Sequence, residues 1–200
     1  MPNSPSPFWL EHPLPHGLSD QTRPADFWPT PRASTEALLA SYPPPRGMPV
    51  LDPCAGDGAI LRVLADHGYA TRAVELREEE FSRLLDVAED TVIADWLAVA
   101  WQYCGTQAIA TNPPFSLAVE IISACLGTRA EYIAALLPAD IIARDKRRQS
   151  WRRIFEERGP TAIRGLRNRP SFSGDGKTAF SEYAWFIWDR NCNPLDIRII

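Results

Sequence analysis

The chain has 200 residues, 45% of them hydrophobic, with seven tryptophans and a net charge of −4, enough to bury a core of ordinary domain size. No apolar run approaches the roughly 20 residues a membrane helix needs, and the first residues lack a signal peptide's basic start and apolar stretch. The four cysteines (Cys54, Cys104, Cys125, Cys192) form no CxxC pair and the three histidines show no ligand spacing, so neither a metal site nor a disulfide framework is expected, and the chain reads as soluble and cytoplasmic.

The first 49 residues hold 12 of the 19 prolines. Residues 1–29 read as a proline-rich arm, parts of which dock through Phe8-Trp9 and Phe27-Trp28; residues 30–200 read as one domain. In "TPRASTEALLASY", Thr30-Pro31 supplies a cap and a first-turn proline for a helix. From Met48, short apolar runs alternate with helical patterns. "MPVLDP", "YATRAVEL", "DTVIAD", "QAIATN" and "EYIAALLP" read as strands. "AILRVLADHG", "REEEFSRLLDVA", "WLAVAWQYC", "SLAVEIISACL" and "RRQSWRRIFEERG" read as helices. "TAIRGLRNRPSF" and "SEYAWFIWDR" read as two final strands with no helix between them. This alternation predicts an α/β, three-layer sandwich whose mostly parallel, seven-stranded sheet carries helices on both faces and an antiparallel strand near the C-terminus.

In such sheets ligands bind at the carboxyl ends of the strands. Four of these ends carry unusual residues. "LDPCAGDGAI" ends a strand at Asp52, and Gly56 and Gly58 permit a tight turn before a helix; the spacing is neither GxGxxG nor a P-loop. Glu75, about 20 residues on, suits acceptance from two ribose hydroxyls. Asp95 suits acceptance from an adenine amine with Trp96 covering the base, and equally suits a helix N-cap; the two roles are compatible. The fourth is "NPPF". The Asn112 side-chain oxygen and the Pro113 carbonyl can both accept from one NH2 group, Pro113 and Pro114 fix that carbonyl, and Phe115 can stack on the ring bearing the amine. An aryl amine is a poor nucleophile because its lone pair is delocalised. Two acceptors draw the N–H bonds out of plane, and the nitrogen can then attack an electrophilic methyl.

Charge is unevenly spread. Residues 1–143 carry 8 basic and 18 acidic side chains, whereas residues 144–169 carry 10 basic and 3 acidic. A solvated helix face explains such a segment, and so does a phosphate-binding surface.

Together these residues resemble the S-adenosylmethionine-dependent N6-adenine DNA methyltransferases of the Asn-Pro-Pro-Phe/Tyr type, from about Phe27 to Trp188. The resemblance implies a class I, Rossmann-like methyltransferase fold. It implies that Phe27, Thr30 and Pro31 of "FWPTP" close over the methionine end of the cofactor and that "DPCAGDG" (Asp52, Pro53, Cys54, Ala55, Gly56, Gly58) is the cofactor loop. By the same likeness Glu75 meets the ribose, Asp95 and Trp96 the adenine, Leu76 and Asn112 also belong to the cofactor site, and Asn112, Pro113, Pro114 and Phe115 are catalytic. "RPSFSGDGKTAFSEYAWFIWDR" is similar to small phage and prophage adenine methylases. With DNA as substrate, Arg144, Lys146, Arg147, Arg148, Arg152 and Arg153 are placed to neutralise phosphates, and Arg167 and Arg169 to join them or contact bases. No separate recognition domain fits, so target readout falls to residues 139–153, residues 171–181, the arm, a partner protein or a second subunit. RNA adenine and a protein glutamine amide pose the same chemical problem as alternative substrates, and a catalytically silent nucleic-acid-binding module is a third reading.

Overall fold

The computed structural model describes residues 29–105, 108–141, 148–172, 179, 181–192 and 196–199, the side chain of Arg148 excepted. Of the expected arm, only Pro29 is among them. Helix α1 spans Arg32–Ser41. There follow β1 (Val50–Asp52), α2 (Ala59–Asp66), β2 (Thr71–Glu75), α3 (Phe81–Leu85), β3 (Asp90–Ile93), α4 (Trp96–Val99), β4 (Ala108–Thr111), α5 (Ala118–Gly127), β5 (Tyr132–Pro138), α6 (Arg148–Arg158), β6 (Ala162–Gly165), β7 (Tyr183–Asp189) and β8 (Asp196–Ile199). Among the described residues one sheet runs in the order β3-β2-β1-β4-β5-β7-β6-β8. Strands β1 to β5 pair in parallel, and β7 is antiparallel to both of its neighbours, β5 and β6.

The sheet therefore has eight strands where the sequence reading expects seven. The addition, β8, pairs in parallel with β6 and covers an edge that would otherwise expose backbone groups. The strand expected across "TAIRGLRNRPSF" is regular only at Ala162–Gly165, and most of the loop after it lies outside the described residues.

Two cores flank the sheet, because strand side chains alternate between faces. In β5, Tyr132, Ala134 and Leu136 pack with Leu38 of α1, Leu61 and Leu64 of α2 and Leu84 of α3. Ile133, Ala135 and Leu137 pack on the opposite face with Trp96 of α4, Ile122 of α5 and Trp151 of α6. These sides make the three layers. The helix expected over "REEEFSRLLDVA" begins as a 3-10 turn at Glu78–Glu80 and is α-helical only over Phe81–Leu85.

Two consequences position the site. Strand order reverses direction about β1 and β4, which lie side by side with Leu51 opposite Ile109, so their carboxyl ends border the crevice where doubly wound sheets bind ligands. Helix α1 crosses the β7 face, where the Trp185 indole donates to the Ser34 carbonyl (2.7 Å), and its start lies beside the end of β4.

Candidate active site

A cavity of about 360 Å³ opens at this crevice, lined by residues from the ends of β1, β2, β3 and β4 and from the segment before α1. The β1 loop turns sharply. Gly56 and Gly58 adopt φ of +58° and +82°, values natural to glycine. The loop is tied to β2 by Ala55 N–H donating to the Val74 carbonyl (3.1 Å). A Cβ on Gly58 would come within 2.8 Å of Val87 Cγ2. Gly58 thus serves the turn and its packing from behind the loop and lies outside the cavity wall, whereas Asp52, Pro53, Cys54, Ala55 and Gly56 all belong to that wall.

Asp52 is 1% exposed, and its Oδ1 accepts from the Cys54 N–H (3.0 Å). Burial pushes its carboxyl up to about 7, against the pull of the Thr111 and Cys54 groups beside it, with the charges of Glu75 and Asp57 adding to the rise. Burial, foremost, also pushes the Cys54 thiol up, with the Asp52 charge adding to it.

Glu75 ends β2 and is 6% exposed. Its Oε2 accepts from Gly56 N–H (2.7 Å), and its Oε1 accepts from the N–H (3.0 Å) and Nε (2.9 Å) of Arg77. Leu76 and Arg77 complete this corner of the wall. Asp95 caps α4 by accepting from Leu97 N–H (3.0 Å) and lines the cavity at the same time. Trp96 also lines it, though the ring is 3% exposed and packs on Tyr103 at 5.4 Å.

Asn112 follows β4 directly, and Pro113, Pro114 and Phe115 continue along the wall. The Asn112 Nδ2 donates to Thr30 Oγ1 at 3.0 Å, a bond that orients the amide and turns its oxygen to the other side. Thr30 is therefore not the cap of α1. Pro31 takes that position, without a side-chain capping bond and outside the cavity wall, and the Thr30 hydroxyl meets Asn112 instead. The Phe115 ring lies 5.7 Å from that of Tyr183, which lies 4.9 Å from that of Phe172.

Arg152 and Arg153 on α6 pair with Glu156 and Glu157 one turn on (2.7 Å each). Arg167 is exposed just beyond β6, and Arg169 pairs with Glu182 (2.7 Å). Phe27, Arg144, Lys146 and Arg147 lie outside the described residues, and of Arg148 only the backbone is described. Among the described residues there is no cluster of three or more His, Cys, Asp or Glu that would hold a metal ion, and no helix is long and apolar enough to cross a membrane.

Three features of the site escape the sequence reading. Arg77 carries one signal, its position two residues beyond Glu75. The Thr30–Asn112 bond and the Phe115–Tyr183 ring contact join distant segments and carry no local signal.

No family model matches the chain, and no curated protein matches it by sequence. Solved structures do match its fold. It is similar to a modification subunit assigned to a type I restriction enzyme from Vibrio vulnificus (TM-score 0.63, 18% identity, 90% of this chain and 48% of the other). The chain thus spans about half the length of that subunit. It is similar to a protein from Listeria monocytogenes assigned as a class I S-adenosylmethionine-dependent methyltransferase (TM-score 0.62, 13% identity, 92% of this chain and 68% of the other). A third, assigned as an RNA methyltransferase from Pyrococcus horikoshii, gives TM-score 0.58 at 16% identity over 80% of this chain and 85% of the other. The chain has the class I, Rossmann-like methyltransferase fold.

Proposed function

We propose that this chain is an S-adenosylmethionine-dependent methyltransferase that methylates the exocyclic N6 of adenine in DNA. One observation carries the reading: Asn112-Pro113-Pro114-Phe115 lines the same cavity as the glycine turn after β1, Glu75 and Asp95. The cavity is of a size for a small ligand, and its donor set suits this one. Carboxylates stand at three strand ends, matched to an ammonium, a ribose diol and an adenine amine. Asp52, Glu75 and Asp95 are assigned to those groups in that order, with Leu76 and Trp96 against the base. Bound there, the cofactor supplies an electrophilic methyl on a sulfonium.

The chain's own residues do the rest. The Asn112 oxygen and the Pro113 carbonyl accept both N–H bonds of the target amine and raise electron density on its nitrogen. Thr30 holds the Asn112 amide in the needed orientation, and Phe115, braced by Tyr183, offers a face for the base. Cys54 stays protonated and so offers no thiolate to compete for the methyl. A duplex adenine would have to be flipped out to reach this edge. A nucleic acid is favoured by the basic segment around α6, and DNA by the likeness of the C-terminal pattern to small phage and prophage adenine methylases. Target recognition by a partner protein or a second subunit belongs to the same proposal.

The test is tritium transfer from S-adenosylmethionine into separate DNA, RNA and protein pools, with mass detection of N6-methyladenine after nuclease digestion. Label in DNA as N6-methyladenine is the expected result. Label in RNA or on glutamine overturns the DNA assignment, and cofactor binding with no transfer overturns catalysis. Asn112→Ala is expected to abolish transfer and leave cofactor binding intact.

A further inference from the structure

The acceptor that a ribose diol needs is engaged by the protein itself. A carboxylate has about four lone-pair positions. On Glu75, Gly56 N–H uses one at Oε2, while the N–H and Nε of Arg77 use two at Oε1. Two hydroxyls cannot both be accepted unless the Arg77 side chain withdraws. A second carboxylate stands ready for it. Glu80 is 5% exposed, its Oε1 lies 3.8 Å from Arg77 Nη1, and its Oε2 holds Arg83 at 2.9 Å. Arg77 lines the cavity; Glu80 does not.

We propose that Arg77 is an affinity-setting latch: its guanidinium occupies the ribose acceptor of Glu75, and cofactor binding moves it from Glu75 to Glu80. The inference rests on the reading of the cavity as a cofactor site and adds a residue that tunes its affinity without touching the reacting atoms. Glu80 acts one step further out, as the group that receives the displaced cation. Moving the guanidinium from one carboxylate to the other keeps it paired throughout, so the cost of opening is a fraction of that of stripping a buried ion pair. It remains a cost, and it is subtracted from binding.

The experiment is titration calorimetry with S-adenosylhomocysteine on the full chain and on Arg77→Met, Glu80→Gln and the double variant, with thermal melts to verify folding. Arg77→Met keeps the apolar stem and the backbone N–H but removes the competing donor. It is expected to tighten binding by about threefold to tenfold, the factor for one net hydrogen bond. Glu80→Gln removes the receiving charge and is expected to weaken binding about threefold in the wild-type background, on the same scale, and to have no effect when residue 77 is methionine. Unchanged or weaker binding in Arg77→Met overturns the latch, as does a Glu80→Gln effect of equal size in both backgrounds, the mark of a merely structural role. Should Arg77→Met not fold, Glu80→Gln alone decides, since unchanged affinity there overturns the proposal. Absence of binding by the wild-type chain overturns the cofactor reading and the latch together; binding by the wild type without the predicted pattern overturns the latch alone.

Discussion

The Thr30 hydroxyl accepts from Asn112 Nδ2 across 82 positions of chain, and on the proposed function this bond fixes the orientation of the catalytic amide. Thr30→Val keeps the shape and deletes the acceptor. Losing one such bond, about 1–3 kcal/mol, is expected to lower kcat about tenfold to a hundredfold while leaving cofactor affinity unchanged; a fall in affinity with kcat intact would move Thr30 to the cofactor side of the site. Asp52 offers a second test. Its folded value of about 7 lies above the ordinary 3.8, so the native state binds the extra proton between them and stability falls as pH rises through that window. Asp52→Asn is expected to flatten the slope, worth on the order of 4 kcal/mol across the window. A cationic cofactor favours the ionised form, so its binding at pH 6 is expected to release a proton. Calorimetry in two buffers of different ionisation enthalpy would detect this release, and it should vanish in Asp52→Asn.

Among the elements, α6 shows where composition and structure part. Its basic residues read as a phosphate-binding stripe. The helix buries Trp151 completely, however, and ties Arg152 and Arg153 to Glu156 and Glu157, with both pairs solvent-exposed. Exposed pairs at this spacing add little stability, but each neutralises a charge that a phosphate would otherwise meet. Glu156→Gln with Glu157→Gln is therefore expected to tighten DNA binding and to steepen the dependence of log affinity on log salt. An unchanged slope would show that this face does not reach the phosphate backbone. The element pattern was legible because buried strands and amphipathic helices differ in period, which marks β1, β2, β4 and β5 clearly. The short helix ends were less so: "REEEFSRLLDVA" has helical spacing throughout, yet its three glutamates form a 3-10 turn in which buried Glu80 meets Arg77 and Arg83, a tertiary arrangement that local spacing does not encode.

For the whole molecule, the sheet separates chemistry from stability. The carboxylates and the Asn-Pro-Pro-Phe segment proposed for cofactor and target stand at the carboxyl ends of β1 to β4, and their positions were legible because each lies at the end of an apolar run, where a polar residue has few structural reasons to be. The opposite end was not legible. "DIRI" is too short to declare a strand, and what holds it is Arg164 of β6, only 2% exposed. Its Nη2 meets Asp196 Oδ2 at 2.8 Å, its Nη1 donates to the Asp196 carbonyl at 2.7 Å, and its guanidinium lies 5.1 Å from the centre of the Tyr42 ring. A buried arginine needs a counter-charge, and β8 brings it. Asp196→Ala is accordingly expected to lower the melting temperature markedly, whereas Arg198→Ala, which removes an exposed partner of the same carboxylate, should lower it little. Replacing Arg164 with methionine in the Asp196→Ala background should recover part of the loss, because it removes the stranded charge. Neither Arg164 nor Asp196 lines the cavity, so cofactor affinity measured well below the melting temperature should be the same in all of these variants. If affinity fell in step with stability, the far edge of the sheet would be coupled to the site, and the division of labour argued from the strand ends would not hold.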